Sequence, residues 1–354
     1  MQGIRRHVSL ALTALLLASL PGGALAAKKP AKRGLRDPRA LVERTRTLMD
    51  RTCVAAAESK DEAWTGRCID AAFDEIERLD AVLSSRREDS ELTRVNAAGA
   101  ETRIPCSPDF IACLDSSLAI AADTDGAFDP TVEPLNRAWD VRGEGRVPER
   151  DELAEARAAV DWRRLTVVDG DRTVRFNRPG MSLDFGGIGK GFALENATNL
   201  LRSRGVKRAL LSLGSQISAF TDGEAWVIRI SDPADHARPV LRLIVRQGAV
   251  STSSQGEGGF TARGRRYGLT FDPRHGDPVD SRAAVTVIAR GATRADGLST
   301  ALLVMGREKA EAYATDHPGI GVVWMEPTTD QIQAWKWNLG SFSVEPDANL
   351  RWMN

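Results

Sequence analysis

The sequence predicts a single α/β (α+β) domain in which mixed sheets are flanked by helices. Segments with helical spacing of apolar residues alternate with short strand-like segments. In addition, residues 181–213 have the pattern of a strand, a glycine-rich turn, a helix and a second strand. The chain has 354 residues, 42% of them hydrophobic, which is enough for one large domain or two ordinary ones. Basic and acidic residues balance at 48 each, so the charge does not indicate nucleic acid as a partner.

The first residues have the pattern of an export signal. Arg5 and Arg6 precede an apolar run that is short for a bilayer span, and Ala24-Leu25-Ala26 fits a small-residue cleavage site. We therefore expect a signal peptide at 1–27, a flexible basic leader at 28–40 and the folded domain at 41–354. A retained anchor is the alternative. No cysteine follows the apolar run, which argues against a lipid anchor, and we expect no stable membrane insertion after cleavage.

The four cysteines do not indicate a metal site. They lack a CxxC pair, and the four histidines are scattered, so zinc is disfavoured. An exported protein occupies a compartment where disulfides persist, but four cysteines allow three pairings. A local bridge between Cys106 and Cys113 is one option, with Cys53 and Cys68 as the other cysteines.

The first half of the chain is predicted to be mainly helical. Residues 41–48 fit either a strand or a short helix, and 49–54 continue as an extended segment. The polar stretches 84–96 and 140–150 are predicted loops. Helices are expected at 61–83, 109–124 and 151–159, followed by a hairpin of strands 165–168 and 173–176.

The second half is predicted to alternate between strands and helices. One helix follows the glycine-rich turn and stops at Gly205, as a glycine past a helix end should. Residues 248–254 are rich in serine and small residues, which is typical of a loop. Further helices are expected at 294–305 and 308–315, and strands at 208–213, 225–230, 240–245, 285–289, 321–325, 332–337 and 342–344.

The glycine-rich turn is the first candidate binding element. An apolar run ends at Asp184, and the sequence Gly-Gly-Ile-Gly-Lys-Gly at 186–191 then leads into the helix. Glycines allow close approach of the backbone, a helix start offers free N–H groups to an anion, and Lys190 adds positive charge. The pattern favours a phosphate or pyrophosphate ligand. The alternative is a structural turn with a solvated lysine, since the spacing matches neither a Rossmann turn nor a P-loop.

Two further stretches bring polar groups together in turns or loops. The segment 126–132, GAFDPTV, holds an aromatic ring, a carboxylate and a hydroxyl in a compact turn. The segment 248–254 holds hydroxyls and backbone N–H groups that suit phosphate oxygens or a ribose. Ordinary turn chemistry and an ordinary serine-rich loop are the respective alternatives.

Asp296 and Thr300 form a candidate metal pair. They lie four residues apart and share a helix face if the helix begins early enough. Two hard oxygens suit Mg²⁺, which takes few protein ligands and keeps phosphate and water as the others. Alternatively, Asp296 caps the helix and Thr300 bonds back to a carbonyl.

In order and spacing, these segments together resemble the ApbE family, the FAD:protein FMN transferases. The resemblance spans most of the mature chain. The matching segments are Ser90-Glu91-Leu92 with Asn96, residues 126–132 with Leu135 and Trp139, residues 183–191, Leu213-Gly214, residues 250–253, Asp272-Pro273 with Gly276, and Ala295-Asp296 with Thr300, Met305 and Gly306.

The resemblance implies a fold with two lobes around a flavin cleft, and FAD and Mg²⁺ as the cofactors. It implies metal ligands at Asp296, Thr300 and the backbone carbonyl of Gly189. FMN would pass from FAD to a threonine or serine hydroxyl on a subunit of a periplasmic redox complex, releasing AMP, and the enzyme itself would be periplasmic. The residues implied to contact FAD are Phe128, Asp129, Thr131, Asp184, Gly187, Lys190, Thr252, Ser253 and Asp272.

The chain departs from the family pattern at four positions. The family histidine thought to act as base corresponds to Leu269, which cannot move a proton, so the resemblance assigns no catalytic residue. A family carboxylate corresponds to Gln216, a loop glycine to Ser254 and a helix-start alanine to Gly189. Two alternatives therefore stand beside the transferase: an FAD-binding protein with little transfer, and an FAD pyrophosphatase that yields FMN and AMP.

Overall fold

The computed structural model describes residues 40–168, 170–256, 258–340, 343–346 and 349–353. The predicted signal peptide lies outside these residues, and so does the predicted leader except Ala40. Asp169 of the predicted hairpin turn and Phe342 of the last predicted strand also lie outside them. The helices are α1 Glu62–Leu83, α2 Glu91–Asn96, α3 Pro108–Asp123, α4 Glu133–Ala138, α5 Arg150–Ala158, α6 Gly189–Ser203, α7 Ala292–Met305 and α8 Arg307–Asp316. The strands are β1 Ala40–Leu48, β2 Arg51–Ser59, β3 Ile104–Pro105, β4 Leu165–Val168, β5 Thr173–Phe176, β6 Arg208–Leu213, β7 Gln216–Thr221, β8 Trp226–Ser231, β9 Pro239–Val245, β10 Gln247–Ser254, β11 Phe260–Ala262, β12 Arg265–Tyr267, β13 Ala284–Ala289, β14 Gly321–Pro327, β15 Ile332–Trp337, β16 Ser343–Pro346 and β17 Leu350–Trp352.

A nine-stranded sheet with the order β1-β2-β6-β7-β10-β13-β14-β15-β17 forms the centre of the fold. Its pairs are antiparallel except β15 with β17, which is parallel, so the predicted mixed sheet with flanking helices is confirmed. Smaller sheets have the orders β16-β9-β8, β3-β5-β4 and β11-β12. Within the described residues, no helix combines the length and hydropathy needed to cross a membrane.

The central sheet is covered on both faces. Helices α1, α6 and α7 pack on one face. Strands β8 and β9 of the small sheet β16-β9-β8 pack against the other face and form a second core with it. Alternate residues of β13 belong to different cores, with Val285 and Val287 facing the helices and Ala284 and Ile288 facing the small sheet. This two-sided burial explains why β13 is apolar without the hydrophobic–polar alternation of a half-exposed strand.

The residues before the glycine-rich turn do not form a strand, so the predicted strand–helix–strand unit is wrong at its first element. Both backbone groups of Leu183 bond to the side chain of Asn96, with Leu183 N–H donating to Oδ1 at 2.7 Å and Nδ2 donating to Leu183 O at 2.8 Å. Asp184 N–H donates to Pro130 O at 2.8 Å. The backbone of these residues therefore bonds to a side-chain amide and to a turn carbonyl, where the backbone of a strand would bond to a neighbouring strand.

Several other segments differ from the predicted elements. Residues 247–254 form β10, between β7 and β13, instead of a loop. The predicted loop 84–96 ends in helix α2, because Ser90 caps it by accepting a hydrogen bond from Thr93 N–H at 3.0 Å. Helix α4 and strand β7 lie in segments for which no element was predicted.

The other predicted helices and strands in the described residues are present with shifted ends. The segment 41–48 is a strand, β1, which settles the choice left open by its sequence. Helix α1 begins after Asp61, whose side chain accepts a hydrogen bond from Trp64 N–H at 2.8 Å. Its buried face carries Ile69, Phe73 and Ile76, as their spacing predicts.

All four cysteines are buried and unpaired in the structure. Burial raises the pKa of Cys53 to about 12 and that of Cys106 to about 11, so both thiols remain protonated at neutral pH. Cys113, which is fully buried, also has a raised pKa for the same reason.

We expect none of the four thiols to react quickly with Ellman's reagent at pH 8 in the native protein. The reagent needs an accessible thiolate. Burial blocks access to all four thiols and also raises the pKa of Cys53, Cys106 and Cys113. All four should titrate in guanidinium chloride without reductant. Fewer titratable thiols after unfolding would show that disulfides are present, and a fast native thiol would contradict the burial.

Candidate functional site

A cleft of ≈ 660 Å³ opens beside the start of α6. This volume is within the range of about 300–1,000 Å³ that is usual for ligand pockets. The walls come from the glycine-rich turn, from α7, from the end of β10 and from the segments around residues 128 and 269. Six polar residues that line it are Asp184, Lys190, Gln216, Ser253, Asp296 and Thr300.

The first turn of α6 lies directly against α7. A Cβ atom at Gly191 would stand 2.3 Å from the backbone oxygen of Ala292 and 2.5 Å from Cβ of Asp296, so only glycine permits this approach. The N–H of Gly191 donates to Oδ2 of Asp296 at 2.8 Å. Lys190 lines the cleft and donates from Nζ to Gly186 O at 2.9 Å.

Asp296 is the most enclosed carboxylate of the cleft. It is 2% exposed, and its Oδ1 accepts a hydrogen bond from Gln216 Nε2 at 2.9 Å. Burial raises the pKa of this carboxyl, whereas Lys190 and the hydrogen bond from Gly191 N–H act in the opposite direction. Gly291 is the N-cap residue of α7, so the interpretation of Asp296 as a helix cap is wrong.

Thr300 lies one helical turn beyond Asp296 and also lines the cleft, so α7 presents both candidate metal ligands. The Thr300 hydroxyl donates weakly to Gly187 O and Asp296 O, both at 3.4 Å. A Cβ at Gly187 would stand 3.1 Å from the Phe128 ring and 3.2 Å from Thr300 Oγ1, so the turn packs between these two residues. Gly189, at the start of α6, also lines the cleft.

The hydroxyls of β10 are anchored by neighbouring elements. Ser253 Oγ lies 2.8 Å from Ser299 Oγ of α7, and Thr252 Oγ1 lies 2.9 Å from Thr286 Oγ1 of β13. Both Thr252 and Ser253 line the cleft, as does Ser254. These contacts fix the positions of hydroxyls that would otherwise rotate freely.

The GAFDPTV segment is a buried turn. Asp129 Oδ1 accepts hydrogen bonds from Thr131 N–H at 2.8 Å and Thr131 Oγ1 at 2.7 Å, and its Oδ2 accepts from Trp162 N–H at 3.1 Å. Burial raises the pKa of Asp129, with these hydrogen bonds opposing it. Phe128 and Asp129 line the cleft, whereas Thr131 is fully buried and lies outside its wall.

Asp184 takes part in a partly buried ionic cluster. Its Oδ2 accepts from Arg142 Nη2 at 2.7 Å, and the same guanidinium donates to both carboxylate oxygens of Glu133 at 2.7 Å each. The other carboxylate oxygen of Asp184 accepts from Gly186 N–H at 2.7 Å. Asp184 therefore shapes the glycine-rich turn from within the cleft wall.

The segment at 269–276 brings an apolar residue to the cleft. Leu269 is 37% exposed and lines the cleft, where it can neither give nor take a proton. Asp272 lies outside the wall and is tied to Arg274 by hydrogen bonds of 2.8 Å and 2.7 Å. Burial opposes ionisation of Asp272, but the Arg274 side chain and backbone outweigh it and lower its pKa. His275 is exposed, and its Nε2 lies 4.0 Å from Asp272 Oδ2.

The cleft therefore combines a glycine-lined helix start, a lysine, fixed hydroxyls and the buried carboxylates of Asp129 and Asp296. This set suits phosphate oxygens together with a hard cation that shares them. Among the described residues there is no group of three histidine, cysteine or acidic side chains that could hold a metal alone. A cation here would depend on the ligand for part of its coordination.

Fold and site together define an α/β protein with a cleft suited to a phosphate-containing ligand at a glycine-rich helix start. A family model described as the ApbE family matches residues 47–324. The chain belongs to the ApbE family.

Similar proteins agree with this assignment. The chain is 30% identical over 278 residues to the FAD:protein FMN transferase of Treponema pallidum, covering 73% of this chain and 77% of that protein. It is 27% identical over 317 residues to the Escherichia coli K12 protein of the same name, covering 87% and 89%. The structure of the Pseudomonas stutzeri flavinyl transferase ApbE has a TM-score of 0.74 and 29% identity, covering 84% of this chain and 95% of that one.

Two residues that line the cleft were not among the predicted site residues, Gln216 and Arg142. Gln216 contacts Asp296 from β7, and its side-chain Oε1 is buried without a partner in the described structure. Arg142 joins Asp184 to Glu133. In the sequence, Gln216 already stands out because it occupies the position of a family carboxylate. No motif in the sequence points to Arg142.

We expect Gly191→Ala to destabilise the protein by about 1–3 kcal/mol and to weaken FAD binding, because the new methyl group would collide with backbone of α7. Thermal unfolding and FAD titration measure the two effects. Gly319→Ala is the matched control, since nothing lies within 4 Å of its Cβ position. Equal behaviour of the two variants would contradict the close packing of α6 on α7.

Proposed function

We propose that this protein is a Mg²⁺-dependent FAD:protein FMN transferase. The observation that carries the proposal is the position of Asp296 and Thr300 of α7 beside Lys190 and the glycine-rich start of α6, all lining one cleft. Membership of the ApbE family supports the same function, because its relatives bear the name FAD:protein FMN transferase.

In the proposed reaction an acceptor hydroxyl forms a bond to the phosphorus of the FMN half of FAD. The bond to the bridging oxygen breaks, AMP leaves, and the hydroxyl proton passes to water. Such a transfer requires mainly positioning and neutralisation of phosphate charge. The N–H groups of Gly189 and Gly191 already donate to Phe185 O and to Asp296 Oδ2. The Lys190 ammonium, together with the positive end of the α6 dipole, is therefore the group suited to bind and orient the pyrophosphate.

The donor atoms present fit a magnesium ion. Asp296 supplies a carboxylate, Thr300 a hydroxyl, and Gly189 a backbone carbonyl, all of them hard oxygens. The unpartnered Oε1 of Gln216 beside Asp296 is a further oxygen available to a cation or its water shell. When bound, the ion would neutralise phosphate charge, and Gln216 and Gly191 N–H would hold Asp296 in orientation.

For FAD itself, we propose contacts from the cleft-lining residues Phe128, Asp129, Asp184, Gly187, Lys190, Thr252 and Ser253. Thr131 and Asp272 do not line the cleft. We propose that they act indirectly, by stabilising the turns that carry Asp129 and Pro273. Residues 1–27 have the pattern of an export signal, so we propose a periplasmic enzyme whose acceptor is a subunit of a periplasmic redox complex.

The test incubates the protein with FAD, Mg²⁺ and a periplasmic flavoprotein subunit, and follows AMP release and covalent flavin fluorescence. AMP together with a labelled subunit supports the transferase. AMP without label would indicate a pyrophosphatase, and FAD that stays bound and intact would indicate a binding protein.

We expect Leu269→His to raise the rate of FMN transfer by about tenfold or more, because an imidazole there could accept the hydroxyl proton. The gain should appear as pH rises through about 6.5, since only neutral imidazole is a base. Leu269→Asn is the control for polarity alone. Absence of a gain would show that a missing base does not limit the reaction.

We expect Asp296→Asn to lower AMP release by about 10²-fold or more and to abolish stabilisation of the FAD complex by Mg²⁺. The variant keeps the shape of the side chain but removes its charge. Differential scanning fluorimetry with and without Mg²⁺ provides a readout independent of activity. Asp70→Asn, a change in an exposed ion pair, should leave both unchanged, and an unaltered response in Asp296→Asn would contradict the assignment.

A further inference from the structure

A second cavity of ≈ 380 Å³ adjoins the cleft. Asp129 and Pro273 line both, so the two cavities share a wall. The second cavity is open to solvent and lies between the GAFDPTV turn, the segment at 157–163 and the turn that follows Leu269. A molecule bound there would lie next to the ligand of the cleft.

Four arginines line this second cavity, and two of them lack a carboxylate partner in the described part of the chain. Arg163 is paired with Asp125 at 2.9 Å, and Arg274 is paired with Asp272 at 2.7 Å. The Arg178 guanidinium donates to the backbone oxygen of Ala158.

The remaining arginine, Arg157, has no hydrogen bond or ion pair from its guanidinium to any described residue. Its stem packs on the turn at Gly276, where a Cβ would stand 3.6 Å from Arg157 Cγ. The side chain is thus supported at its base while its charge remains available. Arg157 and Arg178 together leave positive charge that is not neutralised by neighbouring carboxylates.

The acidic residues of the cavity do not cancel this charge. Asp125 is already paired with Arg163, and Asp161 lies 3.6 Å from Arg164. The Asp129 carboxylate is buried and accepts hydrogen bonds from Thr131 and Trp162. The indole Nε1 of Trp162 is itself a buried donor without a partner in the described structure, beside Gly126 of the same wall. The wall of the second cavity is therefore rich in hydrogen-bond donors.

We propose that the second cavity binds an acidic side chain of the acceptor polypeptide, close in sequence to the hydroxyl that receives FMN. The inference rests on the proposed transferase function. An attacking hydroxyl must come within about 3–3.5 Å of the phosphorus. Because the two cavities share Asp129 and Pro273, residues that flank this hydroxyl in the acceptor would be within reach of the second cavity. Guanidinium groups match the planar, bidentate geometry of a carboxylate.

The test measures binding of two fluorescein-labelled peptides by fluorescence polarisation, in the presence of FAD and Mg²⁺. One peptide carries two aspartates beside a central Ala-Thr-Ala, and the other has asparagines in their place. We expect the acidic peptide to bind at least about fivefold more tightly to the wild type. Arg157→Gln with Arg178→Gln should remove that preference, and added salt should weaken it.

The matched control is Arg67→Gln with Arg204→Gln, which removes the same charge from exposed positions away from both cavities. In turnover assays with a flavoprotein subunit, the Arg157 and Arg178 variant should raise the KM for the acceptor and leave kcat and FAD affinity unchanged. A rescue of the reversed variant Arg157→Glu by a peptide with arginines in place of the aspartates would support direct contact.

Three outcomes would overturn the inference: equal binding of the two peptides, equal loss in the control variant, or saturation of the cavity by inorganic phosphate with no peptide preference. These are separate from failure of the proposed function. If the wild type releases no AMP and labels no subunit, the transferase proposal fails, and the acceptor role of the cavity falls with it even where the acidic peptide binds.

Discussion

The contact between the start of α6 and the side of α7 is the constraint on which the site depends. Gly191 allows the two helices to approach until its Cα faces the Ala292 carbonyl, and its N–H then binds Asp296. The same approach places Lys190 of α6 and Gly187 of the preceding turn at the cleft and brings Thr300 beside the turn. A larger residue at 191 would separate the ligands of the phosphate from the ligands of the cation.

The chemistry of the cleft depends on how few charges are buried in it. Asp296 is neighboured by an amide, Gln216, where the family pattern has a carboxylate, so one negative charge stands where two would be expected. Asp184 shares the single positive charge of Arg142 with Glu133, so its charge is only partly balanced. The site is therefore arranged so that a bound pyrophosphate and cation bring most of the charge with them, which favours binding of the two together.

Much of this arrangement could be predicted from the sequence because it is local. The helix periodicity of α1, the glycines at 186–191 and the four-residue spacing of Asp296 and Thr300 act within a few residues of each other. The failures involve partners distant in the chain. Leu183 is held by Asn96, 87 residues away. Residues 247–254 form a strand because their backbone pairs with β7 and β13, while Ser299 of α7 and Thr286 of β13 bond to its hydroxyls. Nothing in either local pattern shows such partners.

The same long separations have a consequence for biogenesis. Asp296 meets Gly191 across 105 residues, and the cleft wall is completed by groups from residue 49 through to residue 300. The cleft therefore cannot exist in a partly synthesised or partly translocated chain, since its last wall comes from a helix near the carboxyl end. The proposed ligands, FAD and Mg²⁺, would therefore be captured only after the whole domain has folded. For a chain that crosses a membrane unfolded, FAD would have to be supplied in the compartment where folding ends.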